Sequence, residues 1–246
     1  MSDISDMEKV EIYYNSSLGS DCTSATALQI KKIKSESYPF DWLISDIPDI
    51  IDCLETDFKH FLYPNENKNQ SRHIRHRHPY YNNIYSMHYP MNNSNYEYYS
   101  RCIERFRNIL KKDENKLFLI INRNKNYDYN QIKENINKLK NTLKKYTTNF
   151  YIFCVNHTIK KNQESESPVV SERTTVFPPI WDTLSSRHKH RWLKENNLIP
   201  PKLQLIYKTE IDENIIYLQC NTTKELCKHE LANQVMSQLD KYFEFK

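Results

Sequence analysis

Cys22 stands in the stretch LGSDCTSATALQIKKI, residues 18–33, three residues after Gly19, the only glycine in a chain of 246 residues. A thiol can attack a carbonyl when a neighbouring base takes its proton and a third group orients that base. Nine histidines are candidate bases. His88, in YSMHYP, is the first choice because it follows a long irregular stretch. His157 is the second: it follows the apolar run NFYIFCV, and the ends of parallel strands are where α/β sites gather. Asp41, in PFDW, can orient a base or cap a turn. Backbone N–H groups from Gly19 through Ser20 and Asp21 to Cys22 precede a helical pattern, and unpaired N–H groups at a helix start can hold an oxyanion. The same turn could instead cradle a phosphate, with Arg101, Arg105 and Arg123 supplying positive charge. Cys22 is then only a small residue beside the ligand.

The glycine count singles out that turn. Average usage of roughly 7% would give about 17 glycines, so Gly19 marks a backbone position that needs positive φ or a close approach. Upstream, VEIYYNSSL is β-branched and aromatic and predicts a strand. Downstream, Ala25, Leu28 and Ile33 recur at helical spacing, with Ser20 or Asp21 available as a cap. Cys22 then falls in the first helical turn, where the dipole and unpaired N–H groups favour a thiolate. Elsewhere, turns that need positive φ must lean on Asn and Asp.

The remaining elements are those that must hold this turn in place. A second helical pattern runs through Ile47, Ile50, Ile51, Leu54, Phe58 and Phe61. Residues 64–95 break all periodicity, the mark of a functional loop or a partly disordered segment. A helix in YEYYSRCIERFRNILKK, a buried strand KLFLII, a helix over 130–145 and a second buried strand NFYIFCV follow in turn. Helix–strand–helix–strand with near-continuous apolar strands predicts a covered parallel sheet. Beyond a polar loop at 158–170 come a helix near WDTLSSRHKHRWLKE, two strands LQLIYK and IIYLQC around the turn EIDEN, and a terminal helix over 223–243. The expectation is one α/β domain over 1–246, three-layered with a mostly parallel central sheet.

Composition excludes several function classes. The net charge of +4 is too mild to imply nucleic acid by itself. The longest apolar runs, LFLII and FYIFCV, are strand-length and far short of a membrane span. The acidic start MSDISDMEK is not a signal peptide, and six cysteines without a CxxC pair argue for reduced thiols in a cytoplasmic setting. A bias toward Asn, Lys, Ile and Tyr matches A- and T-rich codons, as in an AT-rich host or viral genome; a viral protein would act in the host cytoplasm. SRHIRHRHPYY, residues 71–81, sets His73, His76 and His78 among three arginines. Adjacent guanidiniums repel a cation, so no metal or other cofactor is expected. A solvated basic loop, or weak contact with nucleic acid, fits better. The expected partner is a small-molecule or peptide substrate.

SLGSDC at 17–22 followed by SYPFDW at 37–42 resembles the opening of a bacterial and viral family of unknown function, labelled as papain-like cysteine peptidases. DFKHFL at 57–62, YSMHYP around His88, YYSRCIERF and LFLIINR continue the likeness over roughly residues 10–157. Cys102 stands where the family places one of two paired arginines. The resemblance implies a thiol hydrolase or acyltransferase with Cys22 as nucleophile and, as the alternative fold, a papain-like α+β arrangement. Strand order favours a ligand-binding or transferase-like α/β domain that takes a phosphate-bearing small molecule at Ser20–Cys22.

Overall fold

The computed structural model describes residues 8–62, 76–78, 80–86, 88, 95–123, 128–159, 206–222 and 228–246. The helix expected near WDTLSSRHKHRWLKE, and the residues 71–75 of the basic loop, lie outside these. The β-branched run at the start forms two strands, β1 (Val10–Ile12) and β2 (Tyr14–Ser17), followed by α1 (Thr23–Ile30). Next come β3 (Leu43–Ile44), α2 (Ile47–Glu55), β4 (His76–Arg77), β5 (Tyr85–Ser86) and α3 (Tyr96–Leu110). β6 (Lys116–Asn122), α4 (Tyr129–Leu143) and β7 (Phe150–Ile159) follow. β8 (Ile206–Asp212), β9 (Ile215–Thr222), α5 (Lys228–Leu239) and β10 (Phe243–Phe245) complete the order.

The central sheet has the order β2-β6-β7-β9-β8, with the first four strands parallel and β8 antiparallel to β9. All seven residues of β6 are buried, which is why KLFLIIN is apolar almost throughout instead of alternating. Phe118 and Ile120 face α2, α3 and α4, packing with Ile50, Ile103, Phe106, Ile132 and Ile136. Leu117, Leu119 and Ile121 face the other way, onto Ala27 and Leu28 of α1, Leu231 and Val235 of α5, and Phe243 of β10. Helices thus cover both faces of a mostly parallel sheet, the three-layer α/β arrangement expected from the alternation. Among the described residues no helix is long and apolar enough to cross a membrane.

Several elements differ from their sequence patterns. The apolar period through Phe58 and Phe61 outruns its helix: α2 stops at Glu55, and Asp57 and Phe58 turn the chain at φ of 48° and 60°. Phe58 and Phe61 still reach the core, where Phe61 packs edge-on with both Phe58 and Phe40, and Phe58 lies tilted against Phe40. Among the described residues, Asn and Asp do not dominate the turns that need positive φ. There, positive φ outside Gly19 falls at Ser20, Lys32, Asp57, Phe58 and Glu213, of which one is an aspartate. Single left-handed residues cost about 1–2 kcal/mol each, and packing at both ends of such turns offsets that cost whatever the residue. The terminal helical pattern ends at Leu239, and FEF pairs in parallel with β1 as β10. The strand β7 continues to Ile159, into the expected polar loop. Within 64–95, β4 and β5 join β3 in a small antiparallel sheet.

His78 belongs to that small sheet's surroundings, and its ring is fully engaged. Nδ1 accepts from the N–H groups of Tyr80 and Tyr81 at 3.1 and 3.0 Å, and Nε2 donates to the Phe61 carbonyl at 3.0 Å. The neutral tautomer serves all three contacts, and burial pushes the imidazole below its ordinary value. The unfolded chain therefore binds the proton more readily, so stability is full above the unfolded value near 6.5 and falls as pH drops below it. A His78→Gln variant should lose less melting temperature than wild type between about pH 7 and about pH 5. Equal slopes would show that this ring does not titrate on unfolding.

Candidate active site

β2 delivers its chain to the carboxyl edge of the sheet, and a single turn there sets the head of α1. The last ladder bond of this strand runs from Leu18 N–H to the Leu119 carbonyl at 3.0 Å. Gly19 then takes φ +73° and Ser20 φ 29°. The Ser45 N–H donates to the Ser20 carbonyl at 3.2 Å, so the turn is closed against the strand that follows PFDW. A Cβ on Gly19 would lie 2.0 Å from Ser45 Oγ. Both reasons for a glycine, positive φ and close approach, hold at this one position.

Ser24 fastens the head of α1 to the sheet: its hydroxyl donates to the Gly19 carbonyl at 2.9 Å and accepts the Ile121 N–H at 2.9 Å. Cys22 is the N-cap residue, one place ahead of the first helical residue, and its carbonyl accepts the Thr26 N–H at 2.9 Å. No side chain caps the helix from that position; instead the Asp21 carboxylate accepts the Thr23 N–H at 2.7 Å. Cys22 is partly exposed, whereas Cys53, Cys102, Cys154 and Cys220 are buried. Burial pushes the thiols of Cys154 and Cys220 up to about 12 and raises those of Cys53 and Cys102 as well.

Strand ends bring further groups to this edge. Arg123, the residue after β6, places its guanidinium 3.6 Å from the Asp21 carboxylate. Asn122 accepts from Ser20 Oγ at 3.2 Å and donates through Nδ2 to Asn156 Oδ1 at 3.0 Å. Ile121 and Val155 pack on the α1 side of the sheet, and side chains alternate along a strand. Arg123 and His157, two residues further on, therefore lie on the side that carries α1. His157 is 5% exposed and stands opposite Cys220 in register. Asn122 and Asn156 lie on the opposite side, beyond Ile120 and Cys154.

The other candidates are placed separately. His88 is exposed and meets Trp42 edge-on at 5.8 Å between ring centroids; Trp42 adjoins β3, the strand that leads to Ser45. Asp41 is fully buried, where it accepts the Tyr38 N–H at 2.7 Å and pairs with Lys34. Those contacts make it the anchor of the PFDW turn. Arg101 pairs with Glu97 one helical turn away on α3, and Arg105 lies 3.4 Å from Glu36 and reaches the Ser37 carbonyl. Of the three arginines, Arg123 is the one joined to the turn by an ion pair with Asp21. Sequence reasoning passed over Ser24, Ser45, Asn122 and Asn156. A signal for the last two was present: an asparagine directly ends each of the two apolar strand runs, LFLII and FYIFCV.

No curated protein and no solved structure gives a significant match to the chain. A family model does match, over residues 14–160 of the 246, a span from β2 to the end of β7 that includes the Gly19–Cys22 turn, Asp41, His88 and His157. With more than half of its length matched, this chain belongs to the family described as putative papain-like cysteine peptidase (DUF1796).

Proposed function

We propose that the chain is a thiol hydrolase or acyltransferase with Cys22 as its nucleophile. One observation carries this reading. Cys22 is the partly exposed thiol, at the head of a helix above the carboxyl ends of parallel strands, while the other described cysteines are buried. In the reaction the Cys22 sulfur attacks a carbonyl carbon and its proton passes to a base. The leaving group then departs with a proton from that base, and water or another acceptor takes the acyl group from sulfur. His157 is the base favoured by position, since it lies on the α1 side of the sheet. His88 is the second choice, through its contact with Trp42. Family membership supports the peptidase-like class.

A phosphate cradle at the same turn is the weaker reading. The Asp21 carboxylate already occupies the Thr23 N–H and stands 3.6 Å from the Arg123 guanidinium. A bound phosphate would meet that negative charge and compete with it for both partners.

Brief treatment with iodoacetamide at about neutral pH, followed by peptide mapping, tests the thiol reading, because the thiolate is the attacking form and buried thiols resist. Cys22 should be alkylated well before Cys53, Cys102, Cys154 and Cys220. His157→Gln should slow that alkylation, while His88→Gln leaves it unchanged; the reverse pattern would exchange the two histidines. Labelling of Cys22 no faster than of Cys154 would remove the thiol reading altogether.

A further inference from the structure

Asn156 is 2% exposed, and among the described residues its Nδ2 has no hydrogen-bond partner. Buried donors without partners are rare in native proteins, because the lost water contacts are not replaced. Its orientation follows from a chain of contacts. The Ser20 hydroxyl donates to Asn122 Oδ1, which leaves Asn122 Nδ2 to donate, and Asn156 must turn Oδ1 toward it. Asn156 Nδ2 is consequently directed away from β6. The same chain starts on the turn that carries Cys22 and bounds the Ser20–Asn156 separation at roughly 10 Å. An extended peptide covers that span in about three residues.

We infer that Asn156 is a substrate-binding, specificity-determining residue whose Nδ2 donates to a neutral carbonyl oxygen of an extended acyl substrate. The inference rests on the Cys22 reading for the word substrate, and on Asn156 alone for the contact. The chemistry of the donor fixes the class of group it takes. An amide N–H calls for an acceptor, and the uncharged Asn122–Asn156 pair offers a buried anion no compensating charge, as the nearby Arg123 lies on the other side of the sheet. An amide carbonyl meets both conditions. Asn122 is a positioning residue here, since it sets the carboxamide's direction and touches no substrate.

The test uses the full chain carrying Cys22→Ala, labelled with nitrogen-15, so that no covalent chemistry intervenes. The side-chain NH2 signal of Asn156 is identified by its loss in Asn156→Leu, or in Asn156→Asp if the leucine variant does not fold. N-acetyl-trialanine amide is the probe, and sodium acetate is the anionic comparison. The Asn156 signal should move saturably with the peptide and stay fixed with acetate. Substitution of Asn156 should weaken peptide binding about tenfold, the value of one hydrogen bond. A signal that stays in place throughout the peptide titration, or moves only with acetate, overturns the inference. Failure of the Cys22 reading would show separately, in the alkylation of the unmodified chain.

Discussion

Gly19→Ala should destabilise the protein by about 2–4 kcal/mol and slow alkylation of Cys22. Two physical costs add at this position. A residue with a Cβ must hold φ near +73°, a left-handed conformation worth about 1–3 kcal/mol of strain in a constrained site. The new methyl would also stand 2.0 Å from Ser45 Oγ, and overpacking of that kind costs about 1–3 kcal/mol. The turn must shift to relieve both, and the Ser24 hydroxyl that ties the Gly19 carbonyl to Ile121 shifts with it. Cys22 sits directly on the resulting displacement. A double variant separates the two costs. Among the described residues Ser45 Oγ is buried without a hydrogen-bond partner, so Ser45→Ala alone should be close to neutral. Combined with Gly19→Ala it should recover the steric part and leave the conformational part. Urea unfolding of the three variants measures both contributions. Wild-type stability together with wild-type labelling in Gly19→Ala would show that the turn has no special standing.

Lys34→Met should cost about 3–5 kcal/mol near neutral pH, because it strands a buried carboxylate. Asp41 is fully buried, and the Lys34 side chain beside it is 4% exposed. Replacing the aminobutyl side chain by a methylthioethyl group nearly keeps the volume and removes the charge. Burial pushes the Asp41 carboxyl above its ordinary value, with Lys34 and the Tyr38 N–H acting the other way. The native state therefore binds the Asp41 proton more readily than the unfolded chain. Acid conditions neutralise the group and relieve the penalty, while higher pH imposes it in full. The cost of Lys34→Met should accordingly shrink as pH is lowered, and Lys34→Met with Asp41→Asn should regain most of the loss. Chemical unfolding at about pH 7 and about pH 5 provides the comparison. A cost that is the same at both pH values would mean that Asp41 does not change its protonation between them. The outcome bears on function as well, since Asp41 precedes Trp42, and Trp42 carries the ring contact with His88.

The phosphate-cradle idea shows how a motif can be physically sound and still be weakened by one neighbour. A turn of unpaired N–H groups at a helix start is an anion site in principle. In this chain Asp21 places its own carboxylate on the Thr23 N–H and an ion pair on Arg123. Both residues were in view as sequence; their mutual contact was not, because 102 positions separate them.

Local pattern determined a good deal about this protein. The strand–turn–helix around Gly19, the buried runs of β6 and β7, and the amphipathic faces of α3 and α4 follow from periodicity and composition over windows of ten to fifteen residues. The SLGSDC and SYPFDW stretches lie within residues 14–160, the span that the family model matches. Tertiary structure decided what local pattern does not encode. The short run FEF becomes β10 only because β1 offers a parallel partner more than 230 residues earlier. Phe58 accepts a left-handed backbone because its ring is held in the aromatic cluster with Phe40 and Phe61. Asn122 meets Asn156 because β6 and β7 pair in one register, and a slip of a single residue would turn the two carboxamides to opposite faces. The same register sets His157 on the α1 side of the sheet, which spacing alone does not encode.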